Sequence, residues 1–586
     1  MKKMKSISKY IATGCVSLGL AMGSVSCIGD LDVTPSNPTT LTWADVESNP
    51  DLYLPQVFYK CYAVYSISGQ SGEGSADISG MDAGKSCYQR AMFMLNEKTT
   101  DECAWIWTED GVDNLVKGTW TNGLGLIYGA YSRLYVAIAI CNDFLRQTQA
   151  SGIELTNPTD YNCTAQYQRE ARLMRALAYW NVLDMFGNAG WVDETVPYGT
   201  NAVPIKRADL YDKLVAELED IVKTWPEANK NKVEYGRVGL DGAKMLLAKV
   251  YLNSSVYTDG AKNEYDKCAA LCKEIIANHK GGGFNGSGLA NHYLAVFSAD
   301  NDRYMPGGSA PAENEILWGM PYEATNTQAY GGTRYVMAAG IGDGSATSRN
   351  EVDMAKGIHY MSRFDYGIND QWGCMHAREQ FSDKFIDAND VRDDFWSKEA
   401  EGFTKTNDDY SKFSNGYACV KFTNLRTKAD GTFYLKDENA GTTIANMADE
   451  SKALKDNAHP DTDMPLFRLS DVYLMLAECQ LRGAANVTAA EALDAVNIVR
   501  ERAGATPWTS LSLDNLIDER ARELYWENHR RSDLVRFNKF VSGYNWAWKG
   551  GVREGTDLRS NFNVFPIPSN VIAGQPEFAA FQNPGY

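Results

Sequence analysis

The stretch from Asp101 to Asp110, DECAWIWTED, combines two tryptophans with acidic and polar side chains. If the stretch is extended, the alternation of a strand puts Trp105 and Trp107 on one face. On a helix the two indoles would point about 200° apart and would share no surface. Two indoles that face the same way beside hydrogen-bonding groups suit a flat amphipathic ligand, such as a sugar ring. The alternative is that one or both indoles belong to the hydrophobic core.

The composition limits the kinds of partner. The chain has 586 residues, of which 44% are hydrophobic and 11% aromatic, and its formal net charge is −18. A phosphate-binding surface needs clustered lysine and arginine residues, and no such cluster is evident, so we expect no nucleic acid partner. A neutral ligand fits the chain better. The 12 cysteines have no metal-ligand spacing, and their pairing is open.

The N-terminus predicts export and a lipid anchor. Residues 1–26 have three early lysines and an apolar run that is too short for a spanning helix, which is typical of a signal peptide. Ser24 to Cys27 resembles a lipoprotein cleavage site with Cys27 as the lipidated residue, although Ser24 stands where leucine is more usual. Residues 27–40 are predicted as a tether. The alternative is a soluble secreted protein with an incidental cysteine.

The rest of the chain, 41–586, is predicted as a single mainly helical body. Periodic apolar residues predict helices over 43–65, 123–148, 166–186, 209–225, 240–257, 265–279, 468–481, 489–503 and 514–540. The regions of about 123–280 and 465–540 are predicted as degenerate tetratricopeptide-like repeats that stack on one another. Between them, about 281–461 is irregular and rich in Gly, Asn, Asp and Ser. We expect this loop-rich insertion to carry the ligand site.

The last predicted helix is dense in charge. Arg530 and Arg531 stand near Glu527 and Asp533, and together they would form either a buried ion network or a solvated charged face.

Several motifs resemble the SusD/RagB family of outer-membrane glycan-binding lipoproteins, over nearly the whole length. They are residues 27–32 (CIGDLD), 101–103 with the paired tryptophans, 461–469 (DTDMPLFRL), 530–537 (RRSDLVRF), 566–568 (PIP) and 582–586 (QNPGY). The resemblance implies a tetratricopeptide-like fold and a location on the outer-membrane surface of a Gram-negative bacterium. It also implies delivery of a glycan to a TonB-dependent, SusC-like transporter. Many family members bind other glycans, but the central residues resemble a starch-binding member, which implies an α-glucan ligand such as starch, maltooligosaccharides or cyclodextrins.

The resemblance also implies a sugar site. Its aromatic arc would consist of Trp107, Tyr330 and Trp372, whose curvature suits a helical α-1,4-glucan. Asp82 and Arg90 match positions that hydrogen-bond sugar hydroxyls. Asp110 stands where the starch-binding relative has asparagine, so it accepts but does not donate a hydrogen bond. The segment 341–370, next to Trp372, is longer here than in the relative.

Two acidic motifs, 300–302 and 461–463, match positions that the starch-binding relative associates with bound calcium. The resemblance therefore implies Asp302, Asp461 and Asp463 as calcium ligands, and carboxylate oxygens suit this hard cation. The alternative is turn and cap chemistry, which also favours aspartate. The resemblance implies no other cofactor.

A glycoside hydrolase is the competing function. Hydrolysis needs two carboxylates about 5 to 10 Å apart, and Glu109 and Asp110 lie beside Trp107. The chain has no nucleophile elbow, HExxH motif or glycine-rich phosphate loop. The prediction is therefore a non-catalytic receptor for starch or maltooligosaccharides, with a receptor for a different glycan as the alternative.

Overall fold

The computed structural model describes residues 41–69, 72, 74–107, 109–340, 368, 370, 372–395, 403–427 and 459–586. The predicted signal peptide, the tether and Cys27 lie outside these residues, as does most of 341–370. The chain divides into one unit that ends at Pro55 and a second unit, Gln56–Tyr586. In the described part of the chain, no helix is both long and apolar enough to cross a membrane.

The predicted helix over 43–65 is in fact two helices, α1 (Trp43–Ser48) and α2 (Pro50–Ser66), and the division between the units falls within α2. α1 begins with a capping box, in which the Thr42 hydroxyl and the Asp45 carboxylate each accept a backbone N–H of the other residue. Pro50 starts a new helix because its fixed φ suits the first helical position, where no N–H is needed.

The second unit is mainly helical. Its further helices are α3 (Ala83–Ser86), α4 (Tyr88–Asn96), α5 (Val112–Lys117), α6 (Gly125–Ser151), α7 (Thr164–Phe186), α8 (Arg207–Lys223), α9 (Leu240–Leu252), α10 (Ser254–Tyr257), α11 (Tyr265–His279), α12 (Thr333–Gly340), α13 (Glu379–Ser382), α14 (Leu469–Leu481), α15 (Ala489–Arg502), α16 (Leu513–Leu524), α17 (Arg530–Arg536) and α18 (Ser569–Gly574). Antiparallel pairs of strands are β1 (Ala104–Trp105) with β5 (Met375–His376), β2 (Ala189–Trp191) with β3 (Val203–Ile205), and β4 (Ile316–Met320) with β6 (Met464–Arg468).

The long helices stack in chain order. α6 packs on α7, α7 on α8, α8 on α9, α9 on α11 and α11 on α14, and α14 contacts both α15 and α16. Ala243 and Ala248 of α9 are completely buried, and their small side chains allow the neighbouring helices to approach closely. Repeats of the tetratricopeptide kind form their common core in this way. The predicted mainly helical, tetratricopeptide-like fold is confirmed.

The insertion leaves this stack uninterrupted, because α11 contacts α14 directly although residues 280–468 separate them. β4 lies within the insertion and pairs with β6, which follows the insertion. Ile316 is opposite Arg468, and Met320 is opposite Met464. Every residue of both strands is buried. The pair therefore attaches the insertion to the helical stack.

The prediction of one continuous helix over 514–540 is wrong, because the chain breaks between α16 and α17. Trp526 and Asn528 have φ values of 62° and 66°, in the left-handed region that bulky residues rarely adopt. The backbone N–H of Trp526 donates to Glu102 Oε2 at 3.0 Å, and the indole ring of Trp526 meets the Phe93 ring edge to face. These tertiary contacts outweigh the helical periodicity.

The charges of the last helices form a buried ion network. Arg530 Nε and Nη2 donate to the two carboxylate oxygens of Asp101 at 2.7 and 2.8 Å. Asp533 accepts from Arg520 and Arg536, both at 2.7 Å. All five side chains are buried. The Arg530–Asp101 pair attaches the stretch 101–110 to α17.

The cysteines in the described part of the chain are free thiols. All ten are unpaired, and nine of them are buried. Burial raises the pKa of the Cys268 and Cys419 thiols well above the ordinary value, so these side chains act as small hydrophobic residues of the core.

Candidate functional site

A cavity of about 220 Å³ lies beside the stretch 101–110. Its lining consists of Asp82, Arg90, Trp105, Trp107, Glu109, Tyr330 and Trp372. Apart from Glu109, which the sequence suggested only as a hydrolase carboxylate, these are residues that the sequence analysis assigned to the ligand. Asp110, also predicted as a ligand contact, is exposed and does not line the cavity.

The pairing of β1 with β5 brings two tryptophans together. Trp105 lies opposite Met375, and continuing this antiparallel register puts Trp107 opposite Gly373, the residue that follows Trp372. α12 also holds this segment, because the Trp372 N–H donates to Ala338 O at 2.6 Å. The centroids of the Trp107 and Trp372 rings are 6.2 Å apart, and their planes are inclined by 40°. The cavity therefore presents two rings at an angle rather than one flat platform.

Trp105 supports this pair and is not an open platform. Both indoles of the Trp-x-Trp motif line the same cavity, as the alternation predicts, but Trp105 is only 2% exposed. The Lys98 ammonium nitrogen lies 3.2 Å from the centroid of its ring, and Tyr335 stacks on it at 5.8 Å. Trp107 meets Trp105 edge to face at 6.0 Å and is itself half-buried. The alternative of core burial is therefore correct for Trp105.

Two glycines allow the segment of Tyr330 to approach the start of the helical region that carries Arg90. A Cβ atom on Gly84 would lie 2.9 Å from Arg90 Nη1 and 3.1 Å from Tyr330 Cβ. A Cβ atom on Gly331 would lie 2.7 Å from the Gly84 carbonyl oxygen. The two chain segments approach this closely because neither residue has a side chain. An N-terminal residue and an insertion residue thus share one cavity wall.

The polar side of the cavity carries both donors and acceptors. Arg90 Nη2 donates to Glu109 Oε2 at 3.3 Å, and Lys85 Nζ lies 3.4 Å from the same oxygen. The exposed Asp82 caps α3 by accepting the Lys85 N–H at 3.0 Å. Arg90 Nε is buried without a hydrogen-bond partner in the described part of the chain. Because sugar hydroxyls both donate and accept, a mixed set of this kind suits them.

Sequence reasoning missed three residues around the cavity. Lys85 pairs with a lining carboxylate, whereas Lys98 and Tyr335 support the lining rings from within the core. No sequence signal marks Lys98 or Tyr335, since their proximity to Trp105 depends on how distant segments pack.

The predicted calcium ligands form an acidic group of unequal burial, in which Asp302 is exposed and Asp461 is half-buried. Asp463 is fully buried, and its two oxygens accept hydrogen bonds from the Tyr322 N–H and the Tyr235 hydroxyl, both at 2.7 Å. Burial, together with the charges of Asp302 and Asp461, raises the pKa of Asp463 to about 8. Such carboxylates are the donor type that calcium prefers. Among the described residues, however, no three His, Cys, Asp or Glu side chains are grouped to hold a metal, so a cation here would also need backbone carbonyl ligands.

The comparison with known protein families is decisive for this chain. The model of the SusD family matches residues 248–586, which is more than half of the chain. The chain belongs to the SusD family. It is therefore a SusD-like glycan-binding protein, and the resemblance inferred from its motifs is confirmed. Of the cavity-lining residues, Tyr330 and Trp372 fall within the matched region, and the others precede it.

Individual relatives agree with this assignment. The chain is 29% identical to the starch-binding protein SusD of Bacteroides thetaiotaomicron, and the alignment covers 100% of both chains. It is 23% identical to a SusD-like protein of Bacteroides ovatus, over 80% of this chain and 75% of that protein. A SusD superfamily structure from Parabacteroides distasonis has a TM-score of 0.63 at 19% identity and covers 93% of this chain and 100% of its own. Surface glycan-binding protein A of Bacteroides thetaiotaomicron, in complex with laminarihexaose, has a TM-score of 0.61 at 18% identity and covers 91% and 99%.

Proposed function

We propose that this SusD-family protein is a non-catalytic cell-surface receptor for starch and maltooligosaccharides. The proposal rests on the inclined pair of Trp107 and Trp372, which shares its cavity with Tyr330. Rings set at an angle can each stack on a different sugar of a curved chain, and an α-1,4-glucan is naturally curved, including in cyclodextrins. Full-length similarity to a starch-binding protein supports the same ligand class.

In this proposed role, the protein is anchored to the outer membrane through lipidated Cys27 and delivers its glycan to a TonB-dependent, SusC-like transporter. Modest affinity suits this role because the glycan must be released. Each stacked ring contributes roughly 0.5 to 1.5 kcal/mol. Three rings therefore give roughly 1.5 to 4.5 kcal/mol, and only the upper end of this range corresponds to about millimolar affinity. Hydrogen bonds from Arg90 and Asp82 would add to this value and fix the orientation of the sugar.

The partners of the two lining carboxylates support a binding role over hydrolysis. A glycoside hydrolase needs one carboxyl group that donates a proton and another that acts as a base or nucleophile. Glu109 is instead paired with Lys85 and Arg90, and Asp82 caps α3. Both carboxylates thus have structural partners that orient the cavity wall.

The proposal includes a structural calcium ion near Asp302, Asp461 and Asp463. The mutual repulsion of these acids, which contributes to the raised pKa of Asp463, is the feature that a divalent cation would relieve. Because the acids come from both ends of the insertion, a bound cation would strengthen its attachment to the helical stack.

Calorimetric titration with maltoheptaose and laminarihexaose tests the ligand. We expect maltoheptaose to bind the wild type, and Trp107→Ala to lower the affinity by about tenfold, or about 1.4 kcal/mol, at an unchanged melting temperature. Trp191→Ala is the matched control, because this half-buried tryptophan lies in β2 and does not line the cavity.

Each other outcome removes a defined part of the proposal. If the protein binds laminarihexaose but not maltoheptaose, the α-glucan ligand is excluded and the glycan-binding role is kept. If the wild type and Trp107→Ala bind maltoheptaose with equal affinity, the glycan site lies outside this cavity. Release of reducing sugar from soluble starch by the purified protein would establish a hydrolase.

A further inference from the structure

Lys98 is an unusual cation directly behind the glycan cavity. Its side chain is fully buried, and its ammonium nitrogen has no hydrogen-bond partner in the described part of the chain. The nitrogen lies 3.2 Å from the ring centroid of Trp105 and 5.3 Å from that of Tyr335. A buried ammonium without hydrogen bonds is costly, whereas the faces of aromatic rings attract it. The two rings are therefore the contacts that compensate for its burial.

The two rings that hold Lys98 each contact one of the sugar-facing tryptophans. Trp105 meets Trp107 at 6.0 Å and 77°, and Tyr335 meets Trp372 at 6.4 Å and 58°. Trp107 and Trp372 are themselves 6.2 Å apart. Trp105 and Tyr335 also stack on each other at 5.8 Å, so the four rings form a closed circuit. A change in the orientation of either inner ring must change the angle between the outer pair.

We propose that Lys98 is a positioning residue for the glycan site, and that its ammonium group fixes Trp105 and Tyr335 and thereby the angle between Trp107 and Trp372. Lys98 does not line the cavity, so it acts on the ligand only through these rings. The inference rests on the proposed function of the cavity as the glycan site. A methionine at this position would fill similar space without burying a charge, so the lysine is better explained by its effect on the rings than by stability.

The charge of Lys98 is sensitive to pH. Burial, followed by the nearby Arg90 guanidinium of α4, lowers its pKa to about 7, while the Glu109 carboxylate opposes this shift. The Cys103 and Cys374 thiols also face it, but burial raises their pKa values, and they stay neutral. The ammonium form that attracts the rings is therefore lost as the pH rises through about 7. Glycan affinity should fall over the same range.

Three variants separate the charge of Lys98 from its bulk. Lys98→Met removes the charge and should weaken maltoheptaose binding by about fivefold or more at pH near 6, at an equal or higher melting temperature. Lys98→Arg keeps a charge at every working pH and should restore affinity and remove its decline above about pH 7. Lys549→Met is the matched control, because Lys549 is also buried, lies 4.4 Å from the centroid of Trp546 and does not line the cavity.

Near-ultraviolet circular dichroism reports on the arrangement of the four rings in the absence of a ligand. The wild-type tryptophan signal should change with a midpoint near about pH 7, and Lys98→Met should abolish this change, whereas Lys549→Met should keep it. Unchanged affinity and unchanged dichroism in Lys98→Met would overturn the inference. A wild type that shows the dichroic transition but binds no glycan would refute the proposed function, while the effect of Lys98 on the arrangement of the rings would stand. If Lys549→Met also weakens binding, the loss is a general effect of replacing a buried lysine, and the inference is overturned.

Discussion

The ion pair between Asp101 and Arg530 is expected to be a principal support of the stretch that carries the two tryptophans. Both Asp101 oxygens accept from Arg530, and one of them also accepts from the Tyr544 hydroxyl at 2.7 Å. In Asp101→Asn, Arg530 would remain buried and charged, with the Ile517 carbonyl oxygen at 3.1 Å as an acceptor. The substitution removes the counter-charge and changes the shape of the side chain very little.

Two estimates of the loss of stability can be made. Despite its burial, Asp101 has a pKa that Arg530 lowers from 3.8 to about 2, so ionisation in the folded state contributes roughly 2 kcal/mol. Because the folded-state pKa is the lower one, this contribution is present above about pH 4 and is lost as the pH falls through about 2. Removal of one partner of a buried pair costs about 3 to 5 kcal/mol, because it also leaves the other charge uncompensated. We therefore expect Asp101→Asn to destabilise the protein by about 3 to 5 kcal/mol at neutral pH.

Urea unfolding followed by tryptophan fluorescence measures this loss. The double variant Asp101→Asn/Arg530→Gln replaces the ions with two neutral amides and should recover most of the stability, giving a coupling energy of about 2 kcal/mol or more. Glu227→Gln is the control, because it breaks an exposed pair with Lys230 and should leave the midpoint unchanged. An Asp101→Asn variant within about 1 kcal/mol of the wild type, or a double variant less stable than the single one, would refute the reasoning.

The cavity and the acidic group yield three further predictions. Gly331→Ala should lower maltoheptaose affinity by about tenfold in calorimetry, because its Cβ would lie 2.7 Å from the Gly84 carbonyl oxygen, whereas Gly125→Ala, in open space, should not. Because the folded-state pKa of Asp463 is about 8 and its ordinary value is 3.8, the folded chain keeps a proton that the unfolded chain releases between these values. In EDTA, its contribution should therefore lower the stability as the pH rises from about 4 to about 8, and Asp463→Asn should remove that part of the slope in urea melts. Millimolar calcium should raise the melting temperature of the wild type but not of Asp302→Asn, and an unchanged wild type would contradict the calcium proposal.

The helical scaffold could be predicted from the sequence because its signals are local. The apolar periodicity of α6 to α8, α11, α14 and α15 predicts their positions to within about three residues, whereas the single helix predicted over 240–257 is divided into α9 and α10. The stacking follows from the need to bury one face of each helix. The same local signal failed at Trp526, where a hydrogen bond to Glu102 and contact with Phe93 stabilise a left-handed backbone. Periodicity contains no information about partners that are 400 residues distant.

The sequence also determined the residue types of the site, since the Trp-x-Trp motif and the family resemblance identified most of the cavity lining. The tertiary structure decided the role of each residue. The pairing of β1 with β5 brings the segment of Trp372 to Trp107, so that their rings meet, and the packing of Lys98 and Tyr335 buries Trp105. The alternation of a strand specifies which side chains share a face, but what covers that face depends on segments that are distant in the chain. For this reason, an open ring and a supporting ring two residues apart could be told apart only in the folded protein.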